Sequence, residues 1–73
     1  MSYIRLNIII QDAWRDRFEQ VVEDCRRVGL LVEREMRTVG LVSGSIDSPL
    51  LDLLERVEGV GAIEIDRQVK ALD

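Results

Sequence analysis

Histidine is absent from this chain, and with it goes the commonest general base and metal ligand. The one cysteine, Cys25, has no partner for an internal disulfide, which points to a reducing compartment. With no histidine and a single thiol, none of the usual four-ligand zinc sets can be composed, so no metal and no cofactor is expected. Lysine also occurs once, as Lys70. It lies close to the end of the chain, where nothing would desolvate it and lower its pKa for Schiff-base chemistry. Long apolar runs and a signal-like segment are missing too, and the reading is a soluble, cytoplasmic protein without membrane contact.

Aromatic residues are scarce: one Trp, one Tyr and one Phe among 73 residues. Ile, Leu and Val must therefore supply most of the burial. A hydrophobic fraction of 47% argues for a folded chain of one domain, near the size at which a single core only just suffices. Ten basic residues stand against 14 acidic ones, a formal charge of −4. Nucleic acid is excluded as a partner, because phosphate binding needs a basic face.

What is present is a clear alternation of patterns. In residues 3–10, Ile4, Leu6, Ile8 and Ile10 share one face of a strand, and Tyr3, Arg5, Asn7 and Ile9 the other. Asp12 is placed to cap a helix, and Trp14, Phe18, Val21, Val22, Cys25 and Val28 recur at helical spacing. Gly29 stands where a left-handed C-terminal cap belongs. Residues 30–36, LLVEREM, alternate again, with Val32 and Met36 on one side and Glu33 and Glu35 on the other. That charge density suits an edge strand.

The next strand puts Gly40, Val42, Gly44 and Ile46 on one face, where the glycines would let the helices approach closely, and Leu41, Ser43 and Ser45 on the other. Ser48 is read as a helix cap with Pro49 in the first turn. Leu50, Leu51, Leu53, Leu54 and Val57 make an apolar helix surface that ends at Gly59. Residues 60–69 close the chain as a strand, with Ile63 and Ile65 inward and Glu64 and Asp66 outward, and 70–73 read as a short mobile tail.

The order β-α-β-β-α-β, with short loops and right-handed crossovers, predicts a single α+β domain of the ferredoxin-like kind. Its four-stranded antiparallel sheet would run in the order 4-1-3-2, with both helices on one face. The other face stays open. Tyr3, Arg5, Asn7, Ile9, Val39, Leu41, Ser43, Glu64 and Asp66 would project there, a mixed and partly apolar patch suited to a protein partner.

No catalytic constellation accompanies that face. Cys25 lies inside the apolar helix stripe and reads as a packing residue. The glycines of 40–45 and 59–61 lack the strand–loop–helix setting and the Lys-Ser/Thr of a phosphate loop. Glu33 with Glu35, and Glu64 with Asp66, read as carboxylates of a solvated sheet face. An acid/base pair would need a pocket to drive one pKa. A non-enzymatic protein is expected.

The segments Val42-Ser43-Gly44-Ser45-Ile46-Asp47 before the helix at 50–54, and Val57-Glu58-Gly59-Val60 through Ile63-Glu64-Ile65-Asp66, carry a resemblance. They resemble the subtilisin propeptides and their stand-alone relatives, the fungal proteinase A inhibitors, including their "V..VE.D" close. The resemblance implies a protease inhibitor or folding helper. Its open sheet face would dock on surface helices of a subtilisin-like serine protease. Its C-terminal tail, here Gln68, Val69, Lys70, Ala71, Leu72 and Asp73, would lie in the substrate cleft. The chain is also similar to small bacterial proteins labelled ketohydroxyglutarate aldolase, a reaction for which Lys70 is the sole Schiff-base candidate. An alternative class is the self-associating, amino-acid-binding ACT module, which places Gly or Pro in its first strand–helix loop. Residues 11–15, QDAWR, contain neither. A homodimer fits either small-domain class.

Overall fold

The computed structural model describes residues 2–66. Strands β1 (Tyr3–Ile10), β2 (Leu31–Met36), β3 (Leu41–Asp47) and β4 (Val60–Ile65) form one antiparallel sheet in the order β2-β3-β1-β4, the expected 4-1-3-2. Helix α1 (Phe18–Arg27) connects β1 to β2, and the short α2 (Leu51–Glu55) connects β3 to β4. Leu6, Ile8 and Ile10 of β1, Val42 and Ile46 of β3, and Phe18, Val21, Val22, Cys25 and Leu54 of the helices are buried together in a single core. The period-2 residues of the sheet thus meet the period-3.6 residues of the helices on one side only. The opposite side is uncovered among the described residues.

The end of α1 follows directly from its sequence. The amide of Gly29 donates to the Arg26 carbonyl at 3.0 Å, and that of Leu30 to the Cys25 carbonyl at 3.1 Å. These are the two bonds of a Schellman motif, with Gly29 supplying the left-handed residue at φ +117°. Arg26 and Arg27 in the last turn complement the negative end of the helix dipole.

The helix starts differ from the expected caps. Asp12 does not cap. The chain enters α1 through a 3-10 segment, Asp12–Arg17, whose cap position is Gln11, without a side-chain cap bond. Gln11 is held by the residue that precedes β4 instead, its amide donating to the Gly59 carbonyl at 2.8 Å. The Asp12 carboxylate accepts from Arg15 at 3.2 Å. Ser48 does not cap either: its amide donates to the Ser2 carbonyl, and the carboxylate of Asp47 accepts from the Ser2 amide. A 3-10 segment, Ser48–Leu50, with Pro49 in its first turn, then leads into α2. Of the leucines there, Leu54 is fully buried, whereas Leu53 is 46% exposed.

The expected roles of Gly40 and Gly44 are also corrected, and Gly40 lies in the turn before β3, not in the strand. A Cβ on Gly44 would collide with the Leu31 carbonyl oxygen and stand 3.2 Å from the Val32 Cα. The close approach is therefore that of the neighbouring strand β2, not of a helix. Gly40, by contrast, does face the turn before α1, with the Arg15 side chain at 2.9 Å from where a Cβ would be. Arg15 Nη2 continues past it to donate to the Thr38 carbonyl at 2.6 Å. Arg15→Ala is expected to cost about 1 kcal/mol, since one partly exposed hydrogen bond and its packing are lost. The midpoint of urea unfolding measures it.

The β4 strand ends at Ile65. The expected extension through 69, and the tail residues Val69, Lys70, Ala71, Leu72 and Asp73, lie outside the described residues.

Candidate functional site

The uncovered sheet face is built by the strand register. On β1, Tyr3, Arg5, Asn7 and Ile9 alternate with the buried Leu6, Ile8 and Ile10 and so point away from the helices. Ile9 lies opposite Leu41 on β3 and Ala62 on β4. Leu41 in turn lies opposite Met36 on β2. Met36, Leu41, Ile9 and Ala62 thereby form an apolar row across all four strands. Two residues further along, Arg34, Ser43, Asn7 and Glu64 form a polar row. Beyond it come Leu31, Ser45 and Arg5, and then Tyr3 opposite Asp47. Tyr3 and Leu31 are more than half exposed, and Ile9 is 37% exposed.

Side-chain bonds pin the polar part. The Ser43 hydroxyl donates to Asn7 Oδ1 at 2.6 Å. Arg5 Nη2 donates to Glu33 Oε1 at 2.8 Å, and the Asp66 amide donates to the Arg5 carbonyl at 2.8 Å. These groups line a shallow depression of about 200 Å³. Ser43 gives its proton to an amide oxygen, which is no general base, so nothing here activates it as a nucleophile. Exposed pairs such as Arg5–Glu33, with side chains 67% and 46% exposed, contribute roughly 0–1 kcal/mol.

Of the expected face residues, Tyr3, Arg5, Asn7, Ile9, Leu41, Ser43 and Glu64 are brought together on one side of the sheet. Val39 is not in the ladder; it belongs to the turn at 37–40, where it is 61% exposed. Glu33 and Glu35 do not share a face. The pairing with β3 shifts between Val32 and Arg34, leaving Glu33 as the extra residue of a bulge. Glu33 consequently joins Arg5 on the open side, whereas Glu35 pairs with Arg26 of α1 at 3.1 Å on the helix side. The same shift separates Val32 from Met36. Strict alternation puts Arg34 and Met36 on the face of Val32, so it misses them as open-face residues, and LVEREM has no Gly or Pro to signal a bulge.

Cys25 is buried in the core at 1% exposure. Burial, helped by the neighbouring Asp24 carboxylate, pushes its thiol up to about 11 from 9.0. The thiol is inert at neutral pH and acts through packing. Because the folded state holds this proton more tightly, the stabilisation is complete below pH 9 and is lost as pH rises towards 11. Unfolding free energy is expected to fall in that window by up to about 1.4 kcal/mol per pH unit. The Cys25→Ala chain should show a flatter profile in urea unfolding at the same pH values.

Among the described residues no three or more of Cys, Asp and Glu converge as a metal site. No helix among them is long and apolar enough to cross a membrane. Comparison of the chain with protein-family models, with curated proteins and with solved structures gives no match.

Proposed function

We propose that this chain is a non-catalytic protein-binding module that docks through its open sheet face. The observation that carries this reading is the apolar row Met36–Leu41–Ile9–Ala62, bordered by the polar row Arg34–Ser43–Asn7–Glu64. The row lies at one end of the sheet with hydrogen-bonding groups along its inner side, and apolar area beside polar groups is the composition of protein interfaces. It sits on a rigid four-stranded layer, so docking would order few side chains. The resemblance to subtilisin propeptides gives the partner class: a subtilisin-like serine protease, met by this face, with Val69, Lys70, Ala71, Leu72 and Asp73 as the segment directed to its cleft.

Titrating a subtilisin-type protease with the purified chain tests the reading. Stoichiometric inhibition is expected, and it should be lost when Ile9→Glu and Leu41→Glu are combined, because two charges then replace the centre of the apolar row. Absence of inhibition at high micromolar concentration rejects the protease as partner. Inhibition unaffected by the double substitution rejects the sheet face as the contact.

A further inference from the structure

We infer that the free edge of β4 pairs with the β4 edge of a second copy of this chain, joining two sheets into one of eight strands. The two edges of the sheet are not alike. Both edge strands carry a register shift, β2 at Glu33 and β4 at Gly61, but β2 adds three consecutive charged residues, Glu33, Arg34 and Glu35, which discourage pairing with another chain. On β4, VGAIEI, the single charged residue is Glu64. Among the described residues no strand lies beyond it.

The direction of its backbone groups follows from one bond. The Asp66 amide donates to the Arg5 carbonyl, so the backbone groups of Asp66, Glu64 and Ala62 face β1 and those of Ile63 and Ile65 face outward. Ile65, on the helix side of the sheet opposite the buried Leu6, is nevertheless 39% exposed. A second copy would cover it and satisfy the outward amides and carbonyls together.

Charge selects the register. A two-fold axis through Glu64 would set two carboxylates face to face across the new ladder, which is unfavourable. An axis through Ile63 instead places Glu64 opposite Ala62 of the second copy, and Ile65 beside the second copy's Gly61. At that point lies a notch of about 220 Å³ lined by Glu55, Val60, Gly61, Ala62 and Ile63. The exposed Ile65 of each copy enters the notch of the other, a self-complementary contact of the kind two-fold dimers require. This contact uses the edge and leaves both open faces uncovered, so it stands or falls apart from the docking reading above.

Sedimentation of the full chain at increasing concentration tests the pairing. A species of twice the 8.4 kDa chain mass is expected. Ala62→Glu, on the exposed open side, should weaken it about tenfold by setting like charges opposite each other twice per dimer. Adding Glu64→Lys to Ala62→Glu restores attraction in this register and should recover the dimer. In the unmodified chain the Ile63 and Ile65 amides should gain exchange protection as concentration rises. A single-chain mass at high micromolar concentration overturns the inference. So does a dimer that ignores Ala62→Glu, one that Glu64→Lys does not rescue, or one whose Ile63 and Ile65 amides stay unprotected.

Discussion

Phe18→Ala is expected to be the most destabilising single truncation in the chain, removing about 3–5 kcal/mol of its stability. Phe18 is the largest of the fully buried side chains and opens α1 against the sheet. Truncating a buried Phe to Ala costs about 3–5 kcal/mol, part from lost transfer energy and part from the cavity left behind. At roughly 0.05–0.15 kcal/mol per residue, a chain of 73 residues is stable by roughly 4–11 kcal/mol. One aromatic ring is thus a large fraction of the whole, the consequence of a composition with a single Phe. Thermal unfolding should show a midpoint lowered by about 4–8 °C for each kcal/mol lost. Leu53→Ala, at a 46% exposed position of α2, is the control and should change stability by less than about 0.5 kcal/mol. Equal losses at the two positions would mean that the core is not where the structure puts it.

Gly44→Ala should be the second most damaging change, although it adds only a methyl group. Gly44 has an ordinary strand conformation, so backbone freedom is not the issue. The added Cβ would meet the Leu31 carbonyl oxygen, with Leu31 C and Val32 Cα at 3.1 and 3.2 Å. Those atoms are backbone and cannot rotate away. Either β2 moves off β3 or the bulge at Glu33 is lost, and overpacking of this kind costs about 1–3 kcal/mol. Amide exchange should locate the damage, with protection falling in β2 while β1 and α1 stay protected. A Gly44→Ala chain as stable as the parent, with β2 protected, would show that the strands have room to separate at no cost.

The contrast between these two positions marks how far the amino-acid pattern reaches. Phe18 could be placed in the core from its spacing to Trp14, Val21, Val22 and Cys25, because helical periodicity is a local property of the chain. The same holds for the two faces of β1 and for the Schellman end at Gly29, where one residue's permitted φ is enough to stop a helix. The helix starts were less legible. Asp12 and Ser48 have the right chemistry for caps, but Asp12 answers Arg15 and the Ser48 amide answers Ser2. Which partner a short polar group or its amide takes depends on what the fold brings near it.

For the candidate site the division is sharper. Tyr3, Arg5, Asn7, Ile9, Leu41 and Ser43 could be assigned to one face because β1 and β3 are regular, and a regular strand alternates without reference to its neighbours. The contribution of β2 could not. A bulge is a property of a pair of strands, and here it rests on the space that Gly44 leaves for the Leu31 carbonyl. That one extra residue turns Glu35 towards Arg26, sends Arg34 and Met36 to the open side, and completes the apolar row from Met36 to Ala62. Order of elements and the inner faces of β1, β3 and α1 are written in local periodicity, which needs nothing beyond neighbouring residues, and the strand order follows from that order of elements only through the rules for short loops and right-handed crossovers. Register, the irregular edge and hence the make-up of the docking face arise only when β2 is laid against β3, because they are set by contacts between distant parts of the chain.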